Sequence, residues 1–193
     1  MYTQLSVLLL FCIGLITASI SNSSAQSVNE PSEKHRILYW LTLGLGGASE
    51  PEVEGMVGGT MLRGVFALDN SSISAKVEGY SNTAPLSFDF NRTETSVCMY
   101  SVLFGRQLWR PLNNGAWILR GAIGPAFITH TTTHYFFWNP PETSQKSEPG
   151  LALELEGLIE PAILGAGLSM QLYATRHSFM GTFTVNISFG KFD

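Results

Sequence analysis

Three groups of residues in this chain have the types that catalysis, metal binding or charge burial requires. His177 and Ser178 are adjacent, and Glu154 and Glu156 lie on a preceding segment, so a nucleophile, a base and an orienting carboxylate are all present. Brought within hydrogen-bond reach, such a set hydrolyses esters, lipid esters included. Consecutive residues of a strand project to opposite faces, however, so His177 and Ser178 act together only if a tight loop turns them to one side. His130 and His134 share strand parity across a Thr-rich stretch, but no Cys, Asp or Glu lies beside them in sequence to complete a metal-ligand set, and loop histidines are the reading preferred. The third group is Arg63, Lys76, Glu78, Arg120, Glu154 and Glu156, charges set inside otherwise uncharged segments. Their near balance of sign suits mutual pairing in a confined interior, because an unpaired buried charge costs several kcal/mol. No catalytic residue, cofactor or metal is expected.

Two further features carry less chemistry. Cys98 stands among Val97, Met99, Tyr100 and Val102, as a small apolar strand residue does. The run Tyr135-Phe136-Phe137-Trp138-Asn139-Pro140-Pro141 fits either an aromatic girdle at a bilayer interface or an interaction loop that grips a partner. The girdle is preferred, since Trp40, Trp109 and Trp117 also fall near expected strand ends.

The elements that must position these residues read as strands. From residue 37 onward, segments of about ten residues are separated by Gly, Pro, Asn and Ser clusters, with no persuasive helical period. Eight are expected: Ile37–Gly46, Met56–Leu68, Ile73–Tyr80, Val97–Leu108, Ala116–Thr129, Leu151–Ile159, Ile163–Thr175 and Met180–Phe192. Within them apolar and polar residues alternate. Phe183, Val185, Ile187 and Phe189 oppose Thr182, Thr184, Asn186, Ser188 and Gly190, while Leu151, Leu153, Leu155 and Ile159 oppose Glu154 and Glu156. Lys76, Glu78, Arg120, Glu154 and Glu156 fall on the polar faces; Arg63 sits in a segment too apolar on both sides to orient.

Charged residues are only 13% of the 193-residue chain, against 45% hydrophobic, and the net charge of −4 is scattered. That excludes a disordered chain and offers no basic footprint for nucleic acid. The polar strand faces are mostly Gly, Ser, Thr and Asn, unlike the Lys- and Glu-rich solvent face of a soluble sheet. A transmembrane barrel has this inverted arrangement, with apolar residues toward lipid and small polar residues filling a narrow lumen. A soluble exported lipocalin-like barrel, its apolar face turned inward around a small hydrophobic ligand, is the alternative.

The amino terminus points to export. Leu5–Ile16 is an apolar run too short to span a bilayer as a helix, and Ser23 with Ala25 supplies a small-residue cleavage site, giving a signal peptide over 1–25. A flexible lead-in over 26–36 and a barrel domain over 37–193 follow. Cys98 is then the sole cysteine of the mature chain, so no internal disulfide forms. The four Asn-x-Ser/Thr sequons, at Asn22, Asn70, Asn91 and Asn186, are read as chance in a Ser- and Thr-rich chain. Loop lengths place Asp69–Ser72, Trp109–Gly115 and Glu160–Ala162 on one side and the longer Ser81–Ser96 and His130–Gly150 on the other, with short turns periplasmic.

Glu160 to Leu168 (EPAILGAGL), Arg176 to Lys191 (RHSFMGTFTVNISFGK) and Leu103-Phe104-Gly105-Arg106 resemble the closing hairpin and a recurring strand end of small uncharacterised eight-stranded bacterial outer-membrane β-barrel proteins. The resemblance implies an all-β, antiparallel up-and-down transmembrane barrel in the outer membrane. It would be inserted by the barrel-assembly machinery, contact outer-membrane lipid, and have a structural or surface-interaction role. An outer-membrane lipid hydrolase using His177 and Ser178 is the lesser reading. The final strand departs from the usual aromatic ending, since Phe192 is out of phase with Phe183–Phe189, and Phe189 is expected to carry the assembly signal.

Overall fold

The computed structural model describes residues 36–49, 57–82, 92–112, 115–136, 138–161 and 163–191. The signal peptide, most of the lead-in, Phe137 and Phe192 lie outside them. Eight antiparallel strands close into a barrel in sequence order: β1 (Ile37–Ser49), β2 (Val57–Leu68), β3 (Ser71–Ser81), β4 (Arg92–Leu112), β5 (Gly115–Tyr135), β6 (Glu142–Glu160), β7 (Leu164–Thr175) and β8 (Phe179–Lys191). The closing seam pairs β1 with β8 from Tyr39↔Lys191 to Ser49↔Gly181.

Period-two alternation sets the two faces. Leu41, Leu43, Leu45, Phe66, Phe104, Leu155, Leu168, Phe183 and Ile187 all point outward and are exposed, forming a continuous apolar belt. The inward residues of the same strands are buried. This overturns the lipocalin-like alternative, in which the greasy face would line the lumen. A belt of this kind is soluble only in lipid.

The interior is layered. At the end that carries the short turns, Leu38, Trp40, Val65, Ala67, Ile118 and Leu158 pack together with Trp109. At the opposite end a second apolar cluster includes Tyr80, Val97, Met99, Leu103, Ile128, Tyr173 and Met180. Arg63, Lys76, Glu78, Arg120, Glu154 and Glu156 lie between the two clusters, and Glu160 is buried at the short-turn end, opposite Ala116. Trp40 and Trp109 therefore belong to an interior cap and not to the expected girdle; Tyr39 and Leu41 take the outward positions on either side of Trp40. Crowding inside so narrow a barrel is met by glycine. A Cβ on Gly124 would collide with the Val102 carbonyl oxygen and approach Leu103 Cα at 3.0 Å, whereas the outward-facing Gly64 has open space.

The short-turn end is tied by local bonds. Asp69 adopts φ 53° in the tight β2–β3 turn, and its carboxylate accepts from the Arg36 backbone N–H at 2.9 Å. The Arg36 guanidinium stacks on Trp109 at 3.7 Å, so the last residue of the lead-in is held by the barrel.

Five strands are longer than the sequence pattern suggested, β1 and β3 slightly and β4, β5 and β6 by much more. β4 begins at Arg92, four residues before Ser96, which faces Ser81, the last residue of β3. β6 begins at Glu142, and its first β7 pair comes only at Gly150↔Thr175. Between them β5 runs on to Tyr135. Within the segments expected as loops, Ser81–Ser96 and His130–Gly150, residues 92–96, 130–135 and 142–150 are strand and form a three-stranded blade that continues the barrel wall past its rim.

Candidate functional site

Two regions gather the residues that carry chemistry: the buried charge layer and the blade.

In the lumen, alternation on β2, β3, β5 and β6 turns Arg63, Lys76, Glu78, Arg120, Glu154 and Glu156 inward, and Arg63 and Arg120 are 0% exposed. Glu154 is the hub. Its Oε1 accepts from Arg63 Nη1 at 2.9 Å and Arg120 Nη2 at 2.5 Å, and its Oε2 from Lys76 Nζ at 2.8 Å. Glu156 accepts from Arg63 Nη2 and lies 3.4 Å from Arg120 Nε, while Lys76 also reaches Glu78 at 2.5 Å. Three cations meet three carboxylates, so the layer is neutral and tied across the lumen.

Uncharged side chains complete it. Arg120 donates to Ser74 Oγ at 3.0 Å, Arg63 to Thr42 Oγ1 at 3.2 Å, Lys76 to Gln171 Oε1, and the Tyr173 hydroxyl to Glu78 at 2.9 Å. Ser169 and Thr184 share a bond of 2.6 Å, and Thr42 and Ser188 one of 2.9 Å. Gln171 and Tyr173 lie on the inward face of β7, but the alternation of that strand alone does not join them to the charges. The missing signal was which strands lie opposite one another across the lumen.

The hydrolase set is not assembled. Glu154 and Glu156 are committed to cations inside the barrel, whereas His177 and Ser178 sit in the β7–β8 turn at the rim. There the Ser178 N–H donates to Thr175 Oγ1 at 2.9 Å, and the Ser178 hydroxyl lies 3.1 Å from the same atom. Among the described residues no group of three or more His, Cys, Asp and Glu could hold a metal ion.

The blade has two unlike faces. Cross-strand register aligns Cys98–Thr129–Ser147, Ser96–Thr131–Gln145 and Glu94–Thr133–Thr143 on the outward face. The inward face, which stands over the barrel mouth, aligns Val97–His130–Lys146, Thr95–Thr132–Ser144 and Thr93–His134–Glu142, with Glu148 below. His130 and His134 are therefore strand residues and not loop histidines. Thr93 Oγ1 lies 2.9 Å from His134 Nδ1, and Lys146 Nζ 2.5 Å from Glu148. The hydrogen bond from Lys146 holds the Glu148 carboxyl below the usual carboxylate range, helped by Thr175.

Tyr135, Phe136 and Trp138 of the aromatic run crown the blade. The Tyr135 hydroxyl donates to Glu94 at 3.1 Å, Phe136 is exposed, and Trp138 is 88% exposed. These residues stand beyond the apolar belt, so they do not form the expected girdle. Trp117 does face outward at the short-turn end, and Cys98 is half-buried on the outward face of β4.

No family model matches the chain, and no curated protein matches it. Solved structures do. Ail, the attachment invasion locus protein of Yersinia pestis, superposes at a TM-score of 0.56 with 13% identity, over 82% of this chain and 99% of that one. The same protein in complex with the heparin analogue sucrose octasulfate gives 0.56 and 12%. Neisserial surface protein A aligns at 0.48 with 11% identity, over 83% and 100%. The fold is that of the small eight-stranded outer-membrane β-barrel proteins.

Proposed function

We propose that the protein resides in the bacterial outer membrane, where a plugged barrel holds the blade above the surface as a site of interaction, with neither catalysis nor conduction. The observation that carries this reading is the blade itself. A barrel needs strands only long enough to cross the bilayer, about 9–11 residues, yet β4 and β5 have 21 each and β6 has 19. Residues 142–149 lie beyond the last β6–β7 pair, which gives a partner an edge as well as two faces. The neutral charge layer between two apolar caps supports a structural plug, because moving an ion through it means parting buried pairs.

Expression with the native signal peptide, followed by membrane fractionation and SDS gels with and without boiling, tests the placement. Recovery in the outer membrane with a heat-dependent mobility shift is expected, as is labelling of Lys146, whose side chain is 66% exposed, by a membrane-impermeant amine reagent on intact cells. In planar bilayers the purified barrel is expected to give no unitary current. A soluble periplasmic product, protection of Lys146 in intact cells, or stepwise conductance overturns the corresponding part of the reading.

A further inference from the structure

We infer that the open edge of β6 is where a second copy of this chain, standing in an apposed membrane, adds its own β6 edge in antiparallel pairing; this names the partner of the blade and rests on the outer-membrane placement above. The blade has two side edges, and the fold treats them differently. On the β4 side the last pair with β3 is Ser81↔Ser96. Asn82 closes the next position: its N–H donates to the Thr95 carbonyl oxygen at 3.1 Å, and its Oδ1 accepts from the Thr95 N–H at 2.8 Å. On the β6 side, β7 stops at Gly150↔Thr175 and turns away, the Thr175 N–H donating to the Ser178 carbonyl oxygen at 2.9 Å.

Among the described strands β5 alone pairs with residues 142–149. Glu142 to Ser147 are all exposed. Pro141 and Pro149 have no N–H, so they confine a ladder to residues 142–148. A row of backbone donors and acceptors of this kind is a template for one more strand.

The charges on the edge select that strand. Glu142, Ser144, Lys146 and Glu148 share the inward face. Two copies related by a twofold axis perpendicular to the sheet keep their inward faces on one side, so even-numbered residues meet even-numbered ones. Three registers use most of the stretch. Centring the axis on Lys146 sets Lys146 against its own copy, and centring it on Gln145 sets Glu142 against Glu148 twice; like charges directly opposite are destabilising. Centring it on Ser144 sets Glu142 against Lys146 twice, with Thr143 opposite Gln145. Lys146 keeps its bond to Glu148 at 2.5 Å beside the new one, an ammonium having three donors. The inward rows then run on from blade to blade, Thr93–His134–Glu142 meeting Lys146–His130–Val97 of the second copy.

Antiparallel pairing requires apposed membranes. Within one membrane every β6 descends toward the short turns, so two copies there run parallel. Ser144 stands six residues above Gly150, the last β6 residue paired with β7, which is about 20 Å of strand. Joined blades therefore hold two barrel mouths about 40 Å apart. Each contact is small, and many of them between two surfaces reinforce one another.

The test uses the full mature barrel reconstituted through detergent into phosphatidylcholine vesicles, many copies to each, so that blades project from the outer surface. Energy transfer between donor- and acceptor-labelled vesicles reads docking. Native vesicles are expected to dock. Vesicles carrying Glu142→Lys alone, or Lys146→Glu alone, are expected to dock about tenfold less, since two attractive cross-strand pairs become repulsive. Mixing the two kinds makes both pairs attractive again and is expected to restore native docking, which also shows that both variants are folded. Native vesicles that stay apart, with the heat-dependent mobility shift intact, overturn the second copy as partner and leave the edge to a strand of another protein. Single variants that dock as the native chain does, or a mixture of folded variants that stays apart, overturn the pairing. Energy transfer confined to barrels of one vesicle overturns the apposed arrangement. A barrel that fractionates away from the outer membrane overturns the placement beneath it.

Discussion

Strands β4, β5 and β6 pass through two environments, and comparing their lower and upper halves separates what a membrane demands from what a sheet demands. In the lower half, outward residues such as Phe104, Ile123 and Leu155 are apolar and exposed, and the inward charges Arg120, Glu154 and Glu156 are buried and mutually paired. In the upper half the alternation continues without a break in phase, but the outward residues become Ser96, Thr131 and Gln145, and of the inward charges Glu142 and Lys146 are exposed while Glu148 is half-buried. Ion pairing is thus obligatory below and optional above. Lys146–Glu148 has the same close geometry as Lys76–Glu154, yet the Lys146 side chain is 66% exposed and the Lys76 side chain 1%.

Five variants press on that difference. Glu154→Leu removes the carboxylate shared by Arg63, Lys76 and Arg120, and is expected to cost about 3–5 kcal/mol, since breaking a buried pair strands its partners. Urea unfolding in phospholipid vesicles reads this out, and a loss under about 1 kcal/mol, the scale of a surface pair, would mean that water reaches the layer. Leu43→Arg places a charge on the apolar belt and is expected to cost about 2–4 kcal/mol by the same measurement. Thr131→Arg, on the outward face above the rim, should be nearly silent; an equal penalty at both positions would put the blade inside the hydrocarbon.

Smaller effects are expected from the blade itself. Deleting residues 131–145 and joining His130 to Lys146 through an Asn-Gly turn is expected to leave the unfolding free energy extrapolated to water unchanged within the ~10–15% uncertainty of that extrapolation. A barrel that then failed to show its mobility shift would make the blade part of the folding unit. The smallest effect concerns Lys146→Ala. Without its donor the Glu148 carboxyl should titrate at higher pH, visible by NMR, while barrel stability stays the same.

The strand centres were legible because apolar and polar residues alternate cleanly there, as Leu151 to Ile159 do against Glu154 and Glu156. The blade was not, because Thr93 to Ser96, His130 to Tyr135 and Glu142 to Ser147 are polar on both faces and carry no hydrophobic period. Phase was the other obstacle. In Ile37-Leu38-Tyr39-Trp40-Leu41 every residue is apolar, so only cross-strand register decides that Trp40 turns in and Tyr39 out. Arg63 was equally unreadable until β2 was aligned with β1. The charge layer could be named from the sequence residue by residue, but the centrality of Glu154 depends on β6 facing β2 and β3 across the lumen, a relation that local pattern does not encode.

The seam between the first and last strands has a kinetic consequence. Every other strand pair joins neighbours in sequence and can zip from a turn, but the seam brings Tyr39 to Lys191 across nearly the whole chain. Closing a loop of that length costs about 4 kcal/mol of chain entropy, and no contact along the seam offsets it until both strands are in place. Contacts of such sequence separation form slowly. The open seven-seam sheet, with the backbone edges of β1 and β8 unpaired, is then the last species before closure and the one most exposed to pairing with another chain. An agent that caps either edge would trap the protein there, so the seam sets the moment at which it becomes safe from aggregation.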